Sequence, residues 1–379
     1  MTSRRTLIVA VSARMLAQLA VADGYDVIAY DAFGDRDLRA LCPTVSLAHD
    51  LGGAGGLQRL ARSAERAEAG ALVPGSGLEN RPDLVRRLAA GRELLGTAPE
   101  GLAQARNPEL LAAALREVGM SVPELARGPQ DLPAVPAGWL RKPVRGGGGR
   151  GVRPWRGEPL GAGDILQERR HGLPCSVVAV GDGRRAAVLA VSEQLVGERR
   201  LGARGFRWCG NVVPPRLPEA ERRALAAQLT RAAEAVAARF ALRGAFGLDA
   251  IWDGARAWVI ELNPRPPAAL ELADALRGGG TFDAHVVACR GGGLPPAGTP
   301  TGAAGKAVVF APVDCEAPAM QPHWGAVRDV PAAGEPIRRG APVCTLVARA
   351  MSPGAVVDDL LQRADMLARE LAAGALVDA

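Results

Sequence analysis

Three polar side chains at alternate positions end an apolar run near residue 260, and together they have the chemistry to hold a metal ion beside an anion. The run is WVIELNPR at residues 258–265, in which Glu261, Asn263 and Arg265 lie two residues apart. Residues two apart in a strand share one face. The sequence therefore predicts a wall of one carboxylate, one amide and one guanidinium, which we call the polar wall (Glu261, Asn263 and Arg265).

A second carboxylate, Asp249, is predicted to lie opposite the polar wall. It belongs to the apolar segment GLDAIW at residues 247–252, which is followed by Asp253-Gly254. A two-residue Asp-Gly turn is typical of a β-hairpin, and we expect it to bring Asp249 beside Glu261. Magnesium takes a few carboxylate ligands together with phosphates and water, so the pair predicts a magnesium–nucleotide site. The alternative is a hairpin with a solvated polar face, and these residues leave both open.

A run of glycines follows a short predicted strand that carries a lysine. The strand is LRKPV at residues 140–144, with Lys142 in it. Four glycines come soon after: Gly146, Gly147, Gly148 and Gly149. Glycine lets backbone amides turn toward phosphate oxygens, and a nearby lysine reaches the same oxygens as a point charge. In a Walker loop the lysine follows the glycines, so this is either a different phosphate loop or a flexible turn without a ligand.

A polar hinge is predicted between two further strands. The segment DILQERRHG at residues 164–172 begins as a strand and becomes polar, and the apolar strand SVVAV follows at residues 176–180. We interpret the polar residues between the two strands as a hinge between domains.

In this order, the four motifs resemble those of the ATP-grasp superfamily. They are a Lys-Pro strand with a glycine loop, a Gln-Glu hinge, a Gly-x-Asp strand and a Glu-x-Asn-x-Arg strand. The resemblance covers most of the chain and is nearest to predicted ATP-dependent carboligases related to biotin carboxylase, of the carboxylate–amine ligase type. It implies an α/β ATP-grasp fold with an N-terminal Rossmann-like parallel-sheet domain and a small C-terminal α/β region.

The resemblance implies nucleotide-binding roles for the first two motifs. Lys142 would contact the ATP phosphates and contribute to catalysis, and the glycine run would form a flexible lid over them. Backbone groups around Glu168, Arg169 and His171 would bind adenine.

The same resemblance implies metal-binding and catalytic roles for the last two motifs. Asp249, Glu261 and Asn263 would hold Mg²⁺, or Mn²⁺ in its place. Arg265 would stabilise the negative charge of an acyl phosphate.

Two positions depart from the pattern of the superfamily. Related chains often carry an Asp-Lys step before the helix that precedes the lysine strand, whereas this chain reads Arg106-Asn107-Pro108. Pro108 suits a helix N-terminus, and whether Arg106 replaces the missing lysine is open. An acidic ribose contact is also expected a few residues past the hinge, where this chain has LPC at residues 173–175. The ribose contact is therefore unassigned.

The resemblance implies an ADP-forming ligase that makes a C–N bond. A substrate carboxylate would attack the γ-phosphorus of ATP, and an amine would then displace phosphate from the acyl phosphate. Two alternatives remain. One is an ATP-dependent carboxylase that uses bicarbonate, and the other is a nucleotide-binding protein without turnover.

The N-terminal segment predicts a βαβ unit and hence a parallel sheet. Strand patterns occur at residues 6–11 and 26–31, with a helix pattern at residues 13–22 between them. The first turn lacks the glycines of a dinucleotide fingerprint, which disfavours an NAD-dependent oxidoreductase. The helix N-terminus there would bind an anionic substrate group with the help of Ser12 and Arg14. Simple helix capping is the alternative.

A polar loop follows the next predicted strand, ALVP at residues 71–74. Loops at the carboxyl ends of parallel strands line ligand crevices, so Ser76 and Glu79 are candidate substrate contacts. Ordinary turn chemistry explains the same residues equally well.

Proline- and glycine-rich stretches divide the chain into three predicted domains. Residues 1–104 form the N-terminal Rossmann-like domain, residues 105–290 the ATP-grasp region with its lid, and residues 291–379 an α/β region that packs back on the grasp core.

Composition narrows the class of protein. The chain has 379 residues, a formal net charge of +6 and 4% aromatic residues. Because the arginines are scattered and aromatics are few, no stacking surface for nucleic acid is indicated, and acidic substrates such as ATP and carboxylates explain the positive charge better. We predict small-molecule carboxylate and amine substrates and no nucleic-acid or membrane partner, and we leave a homodimer open.

Cysteine, histidine and apolar patterns exclude further classes. The six cysteines show no paired metal spacing, and His49, His171, His285 and His323 suggest no Ser-His-Asp arrangement. Arg14 and Asp23 interrupt the first apolar run too early for a signal peptide. Since no stretch approaches the roughly 20 apolar residues of a membrane span, we expect a cytoplasmic protein.

Overall fold

The structure, a computed structural model, describes residues 5–128, 131–296, 301–319, 321 and 325–373. His323 lies outside the described residues, as do the first four residues and parts of the region 291–379. None of the helices in the described part combines the length and apolar character that crossing a membrane requires.

The N-terminal region is built on a parallel sheet. Its strands are β1 (Thr6–Val9), β2 (Val27–Asp31), β3 (Thr44–Ser46), β4 (Ala71–Pro74) and β5 (Glu93–Leu94). They lie in the order β3-β2-β1-β4-β5 with every pair parallel. The helices of this region are α1 (Arg14–Ala22), α2 (Arg36–Leu41), α3 (Gly56–Ala64), α4 (Pro82–Leu88) and α5 (Pro99–Ala105). All four residues of β1 are buried, as expected for a parallel strand covered on both faces.

A small four-stranded sheet carries the lysine strand and the hinge. It contains β6 (Leu125–Ala126), β7 (Trp139–Pro143), β8 (Arg153–Pro154) and β9 (Asp164–Glu168), in the order β6-β9-β7-β8. The helix α6 (Pro108–Glu117) precedes it. Asn107 caps this helix, because its side-chain oxygen accepts a hydrogen bond from the Glu109 amide at 3.0 Å.

An antiparallel sheet forms the centre of the molecule. Its strands are β10 (Leu173–Asp182), β11 (Ala186–Val196), β12 (Trp208–Val213), β13 (Arg243–Trp252), β14 (Ala257–Asn263), β15 (Ala303–Phe310), β17 (Val327–Arg328) and β19 (Pro342–Ala350). In the described residues the order is β14-β13-β10-β11-β12-β15-β19-β17. A separate short pair joins β16 (Cys315–Glu316) to β18 (Pro336–Ile337).

Four helices cover the central sheet: α7 (Glu219–Phe240), α8 (Leu270–Arg277), α9 (Thr281–Cys289) and α10 (Pro353–Ala373). α7 buries one apolar side, including Leu225, Leu229 and Phe240, against the sheet and α6. All six cysteines are free, and four of them are buried.

The predicted α/β fold class is confirmed: a parallel N-terminal sheet precedes a core of antiparallel sheets. The two boundaries between the three predicted domains stay a prediction. Strands from before and after residue 291 belong to the same central sheet. In it, β15, which follows residue 291, lies between β12, which precedes residue 291, and β19.

Candidate functional site

The two carboxylates Asp249 and Glu261 lie opposite each other on β13 and β14. The turn between these strands differs from the predicted two-residue turn, because Trp252 pairs with Ala257 and four residues connect them. A bulge between Asp249 and Ala250 then shifts the register by one residue. A two-residue turn would instead have placed Asp249 opposite Trp258, so the pairing depends on both the longer turn and the bulge.

The two carboxylates differ in their surroundings. Asp249 accepts hydrogen bonds from the side-chain amide of Gln194 at 2.9 Å and from the side-chain amide of Asn263 at 3.0 Å. Burial, reinforced by the nearby Glu261 charge, raises the pKa of Asp249 to about 6. Burial also opposes ionisation of Glu261, but the positive charges of Arg106 and Lys142 hold the pKa of Glu261 below its ordinary value. Glu261 is therefore ionised at neutral pH, and Asp249 is the carboxylate of the pair that takes up a proton more readily.

Lys142 reaches the polar wall from β7. Its ammonium donates to the Gln167 side-chain oxygen at 2.9 Å and to the Ile260 carbonyl at 3.4 Å. Burial lowers the pKa of Lys142, against the attraction of Glu261 and Asp249. The lysine is thus held at the wall by neutral acceptors, with its charge facing the two carboxylates.

Arg265 is oriented by three acceptors. Its Nε donates to Glu79 at 3.2 Å, one Nη donates to the Pro266 carbonyl at 3.1 Å, and the other approaches the Asn263 side-chain oxygen at 3.4 Å. Glu79 is buried, and its second carboxylate oxygen has no hydrogen-bond partner in the described residues.

Arg106 lies inside the site, where all three nitrogens of its guanidinium donate hydrogen bonds. Nε donates to the Asn80 side chain at 2.9 Å, and Nη1 donates to Glu261 at 2.8 Å and to the Leu262 carbonyl at 3.0 Å. Nη2 donates to the Val144 carbonyl at 3.1 Å and the Gly146 carbonyl at 3.2 Å. These five acceptors match the five N–H groups of a guanidinium.

The glycine run lies against the segment that leads into β12. The Trp208 amide donates to the Gly148 carbonyl at 3.1 Å. Gly149 has φ +72°, and a Cβ there would lie 1.8 Å from the Phe206 carbonyl oxygen. Gly147, in contrast, has open space around the position of a Cβ. Only part of the run therefore requires glycine for steric reasons.

The hinge residues line the same cavity with part of their backbone already engaged. The Glu168 amide donates to the Glu124 carbonyl at 2.9 Å, and the Arg169 amide donates to the Gly138 carbonyl at 2.7 Å. Any adenine contact here would use other backbone groups of residues 168–171. The guanidinium of Arg170 stacks over the Trp258 ring, 3.5 Å from its centroid.

One cavity of about 460 Å³ brings most of the predicted site residues together. Its lining includes Lys142, Gly146, Gly147, Gly148, Gly149, Glu168, Arg169, His171, Asp249, Glu261, Asn263 and Arg265. The four candidate substrate contacts, Ser12, Arg14, Ser76 and Glu79, are not among its lining residues.

Arg14 is buried among acidic side chains away from this cavity. It is 1% exposed and forms ion pairs with Glu271 at 3.0 Å and Asp329 at 2.9 Å. Ser76 accepts a hydrogen bond from the Ser12 amide at 3.2 Å. These contacts favour structural roles for the three residues over the predicted substrate contacts.

The sequence interpretation missed polar residues on the cavity floor. Gln194 and Asn211 pair across β11 and β12, and both line the cavity. Asn211 accepts from the Trp208 indole at 3.0 Å and donates to Ser192 at 2.9 Å. The sequence signal was weak, because Ser192, Glu193 and Gln194 are three consecutive polar residues in β11 and do not alternate with apolar ones.

The residues around Asp249 fit a metal ion that shares its ligands with a nucleotide. Two carboxylates and the Asn263 amide oxygen are oxygen donors, and Mg²⁺ usually takes one or two carboxylates plus phosphates and water. In the described residues no cluster of three or more His, Cys, Asp or Glu side chains forms a protein-only metal site. A metal here would therefore depend on ligands from a bound substrate.

Comparison with protein families identifies the class to which this site belongs. A family model described as the ATP-grasp domain matches residues 106–269. The chain therefore contains an ATP-grasp domain, and the matched residues include the lysine strand, the glycine run, the hinge and the polar wall. No curated protein matches the chain.

Solved structures share the fold of nearly the whole chain. Biotin carboxylase from Campylobacter jejuni, solved as a β,γ-ATP complex, is 16% identical with a TM-score of 0.73 over 96% of this chain and 95% of its own. Rhizobium etli pyruvate carboxylase is 17% identical with a TM-score of 0.73. The match covers 97% of this chain but only 39% of the longer pyruvate carboxylase chain. L-amino acid ligase from Bacillus licheniformis is 14% identical with a TM-score of 0.65, over 98% and 97% of the two chains. At these identities the likeness shows the fold.

Proposed function

We propose that the protein is an Mg²⁺-dependent, ADP-forming carboxylate–amine ligase that activates a small-molecule acid as an acyl phosphate. The observation that carries the proposal is the convergence of Lys142, Asp249, Glu261, Asn263 and Arg265 on one cavity beside a glycine loop. The fold shared with an L-amino acid ligase agrees with this chemistry.

The cavity would hold ATP with its phosphates toward the polar wall. Lys142 would neutralise phosphate charge from β7, and the glycine run would cover the phosphates. Asp249, Glu261 and Asn263 would hold Mg²⁺, which when bound supplies charge neutralisation at the phosphate oxygens. Phosphoryl transfer depends mainly on such positioning and electrostatics and needs little covalent chemistry from the protein.

The first step would transfer the γ-phosphoryl group to the acid. A substrate carboxylate oxygen forms a bond to the γ-phosphorus while the bond to the β-phosphate oxygen breaks, releasing ADP. Arg265 would face the transferred group, where its planar guanidinium contacts two oxygens.

The second step would form the amide. The amine nitrogen bonds to the acyl carbon, the bond from that carbon to the phosphate-bearing oxygen breaks, and inorganic phosphate leaves. The amine loses one proton in the process.

A bicarbonate-dependent carboxylase is the second candidate, because biotin carboxylase shares the fold at the higher TM-score. In that reaction bicarbonate takes the place of the substrate acid. Both candidates use the same nucleotide and metal residues.

Phosphate release from ATP, measured across a panel of acids and amines with and without bicarbonate, tests the proposal. We expect release that requires one acid and one amine together and is independent of bicarbonate. Glu261→Gln, which retains the side-chain volume, should reduce the rate at least ~100-fold, the scale of losing one electrostatic contact in an active site. Bicarbonate-dependent release would support the carboxylase, and near-normal turnover in Glu261→Gln would reject the metal assignment.

A further inference from the structure

The loop after β4 connects the N-terminal sheet to both arginines of the site. Glu79 accepts from Arg265 at 3.2 Å, and its neighbour Asn80 accepts from Arg106 at 2.9 Å. Two chains of hydrogen bonds therefore begin at this loop. The chain Glu79–Arg265–Asn263 is called the Glu79 arm, and the chain Asn80–Arg106–Glu261 is called the Asn80 arm.

Each arm ends on the polar wall. In the Asn80 arm, Arg106 continues to Glu261 at 2.8 Å. In the Glu79 arm, Arg265 continues to Asn263 at 3.4 Å. Two adjacent residues outside the cavity therefore hold the two guanidinium groups that contact the proposed metal ligands.

The loop itself is held firmly. The Val11 amide donates to the Ser76 carbonyl at 2.8 Å, and Leu78 is fully buried. Gly77 has φ +94°, and a Cβ there would lie 2.8 Å from the Val11 side chain. The arms therefore start from a loop that is tied to the N-terminal sheet by these contacts.

Stability alone does not favour Glu79. Its side chain is buried, yet one of its two oxygens lacks a hydrogen-bond partner in the described residues. A buried carboxylate with an incomplete set of hydrogen bonds is costly. We therefore attribute the presence of Glu79 to its contact with Arg265 and not to a contribution to stability.

We propose that Glu79 and Asn80 are positioning residues: Glu79 orients Arg265 for phosphoryl transfer, and Asn80 orients Arg106 so that it fastens the start of the glycine loop to Glu261. The catalytic part of this inference rests on the proposed ligase function. Because the five N–H groups of Arg106 match five protein acceptors, Arg106 acts on the loop and the wall and does not contact the phosphates.

Double-mutant cycles test whether each arm acts as a unit. Glu79→Ala should reduce kcat at least about 30-fold with the KM for ATP nearly unchanged, and it should add less than about threefold to the loss in Arg265→Ala. Asn80→Ala should likewise add little to the loss in Arg106→Ala. Across the arms, Glu79→Ala should retain its full effect in Arg106→Ala. Losses that multiply within an arm would overturn the proposal.

Conservative variants and a control distinguish positioning from loss of fold. Asn80→Asp keeps an acceptor for Arg106 and should restore most of the activity that Asn80→Ala loses. Glu79→Gln keeps the shape and one acceptor oxygen and should fall between the parent and Glu79→Ala. Asp83→Asn, at a half-exposed carboxylate on the same segment, should behave like the parent. Equal losses in Asn80→Asp and Asn80→Ala would contradict positioning by hydrogen bonding.

Limited trypsin digestion tests the Asn80 arm without any turnover. Arg106 holds the Val144 and Gly146 carbonyls, which flank the exposed Arg145. Asn80→Ala should therefore speed cleavage after Arg145 at least about fivefold, and Glu79→Ala should leave it unchanged. If no substrate supports turnover, the ligase proposal fails while this result still stands. Equal cleavage in Asn80→Ala and the parent would overturn the Asn80 arm.

Discussion

At the scale of single residues, the two cations Lys142 and Arg265 line the same cavity as the carboxylate pair and differ in what they contact. Lys142 is held by the Gln167 side chain and the Ile260 carbonyl, both neutral. Arg265 is held by the carboxylate of Glu79 and lies next to Asn263. The ammonium of Lys142 is thus a point charge that can interact with phosphates. In Arg265 the contacts fix the plane of the guanidinium.

Separate substitutions of these two cations should distinguish a role in ATP binding from a role in turnover. Lys142→Ala should weaken Mg-ATP binding at least about tenfold in calorimetric titration, since a charged hydrogen bond is lost. Arg265→Lys should leave the affinity within a few-fold yet reduce turnover about 100-fold or more, because an ammonium cannot contact two oxygens in one plane. Normal turnover in Arg265→Lys together with parental affinity in Lys142→Ala would favour a nucleotide-binding protein without catalysis.

A buried histidine gives the fold an acid-sensitive point. His285 accepts from the Ala245 amide at 2.8 Å and contacts the Leu95 carbonyl, and burial lowers the pKa of His285 to about 4. Between that value and about 6.5 the unfolded chain binds one more proton than the folded chain at this site. The stability contributed by neutral His285 is therefore present above about pH 6.5 and is lost as the pH falls toward 4.

Urea unfolding of the parent and His285→Asn at several pH values measures this effect. The difference in unfolding free energy between the two proteins should shrink by roughly 2 kcal/mol from pH 7.5 to pH 5. A difference that stays constant across this range would show that His285 does not titrate as its burial implies.

Residue types at the site were easier to predict than their partners. Strand alternation predicts that Glu261, Asn263 and Arg265 share one face, and all three line the cavity although Arg265 lies two residues past the end of β14. The contacts of Arg106 join residues 80, 144 and 261, which are far apart in sequence, and no local pattern predicts such a junction.

At the scale of elements, turn length and register decided what the sequence could reveal. The Asp253-Gly254 pair correctly indicated a hairpin but not its four-residue connection. The bulge has no residue signature here, because its extra residue, Ile260 of β14, lies between Val259 and Glu261 and none of the three is a glycine. The hairpin was therefore predictable, and the register that pairs the two carboxylates was not. By contrast, the apolar spacing of α7 is local information that a sequence pattern can reveal.

The glycine loop offers a matched pair of variants. Gly149→Ala places a Cβ against the Phe206 carbonyl and forces a left-handed backbone on alanine, whereas Gly147→Ala meets no atom within 4 Å. We expect Gly149→Ala to lower kcat/KM for ATP about tenfold or more, with Gly147→Ala close to the parent. Steady-state kinetics with ATP as the varied substrate provides the comparison. Should the two variants behave alike, the run is a turn without a role in ATP use.

At the scale of the whole molecule, buried charges connect regions that are distant in sequence. Arg14 of α1 pairs with Glu271 of α8 and with Asp329, and Lys306 of β15 pairs with Glu271 as well. Although burial opposes its ionisation, Lys306 and Arg14 hold the pKa of Glu271 down to about 2. This network fixes the N-terminal sheet to the central sheet.

Removing Arg14 should therefore destabilise the whole protein. Arg14→Met leaves the partly buried carboxylates of Glu271 and Asp329 short of a partner and should lower the unfolding free energy by about 3 kcal/mol. Arg223→Ala, which breaks an exposed pair with Glu219, should change it by less than about 0.5 kcal/mol. Denaturant unfolding of both variants measures the contrast, and comparable small losses would show that the buried network is dispensable.

The strand order of the central sheet also has a consequence for synthesis on the ribosome. The chain emerges from its N-terminal end, so Asp249 and Glu261 leave the exit tunnel before β15, the strand that pairs with β12. Once residues up to about 290 have left the tunnel, the emerged chain carries every residue of the polar wall and still exposes the edge of β12, where another unfinished chain can pair with it. Correct assembly of the site therefore depends on translation continuing promptly through β15.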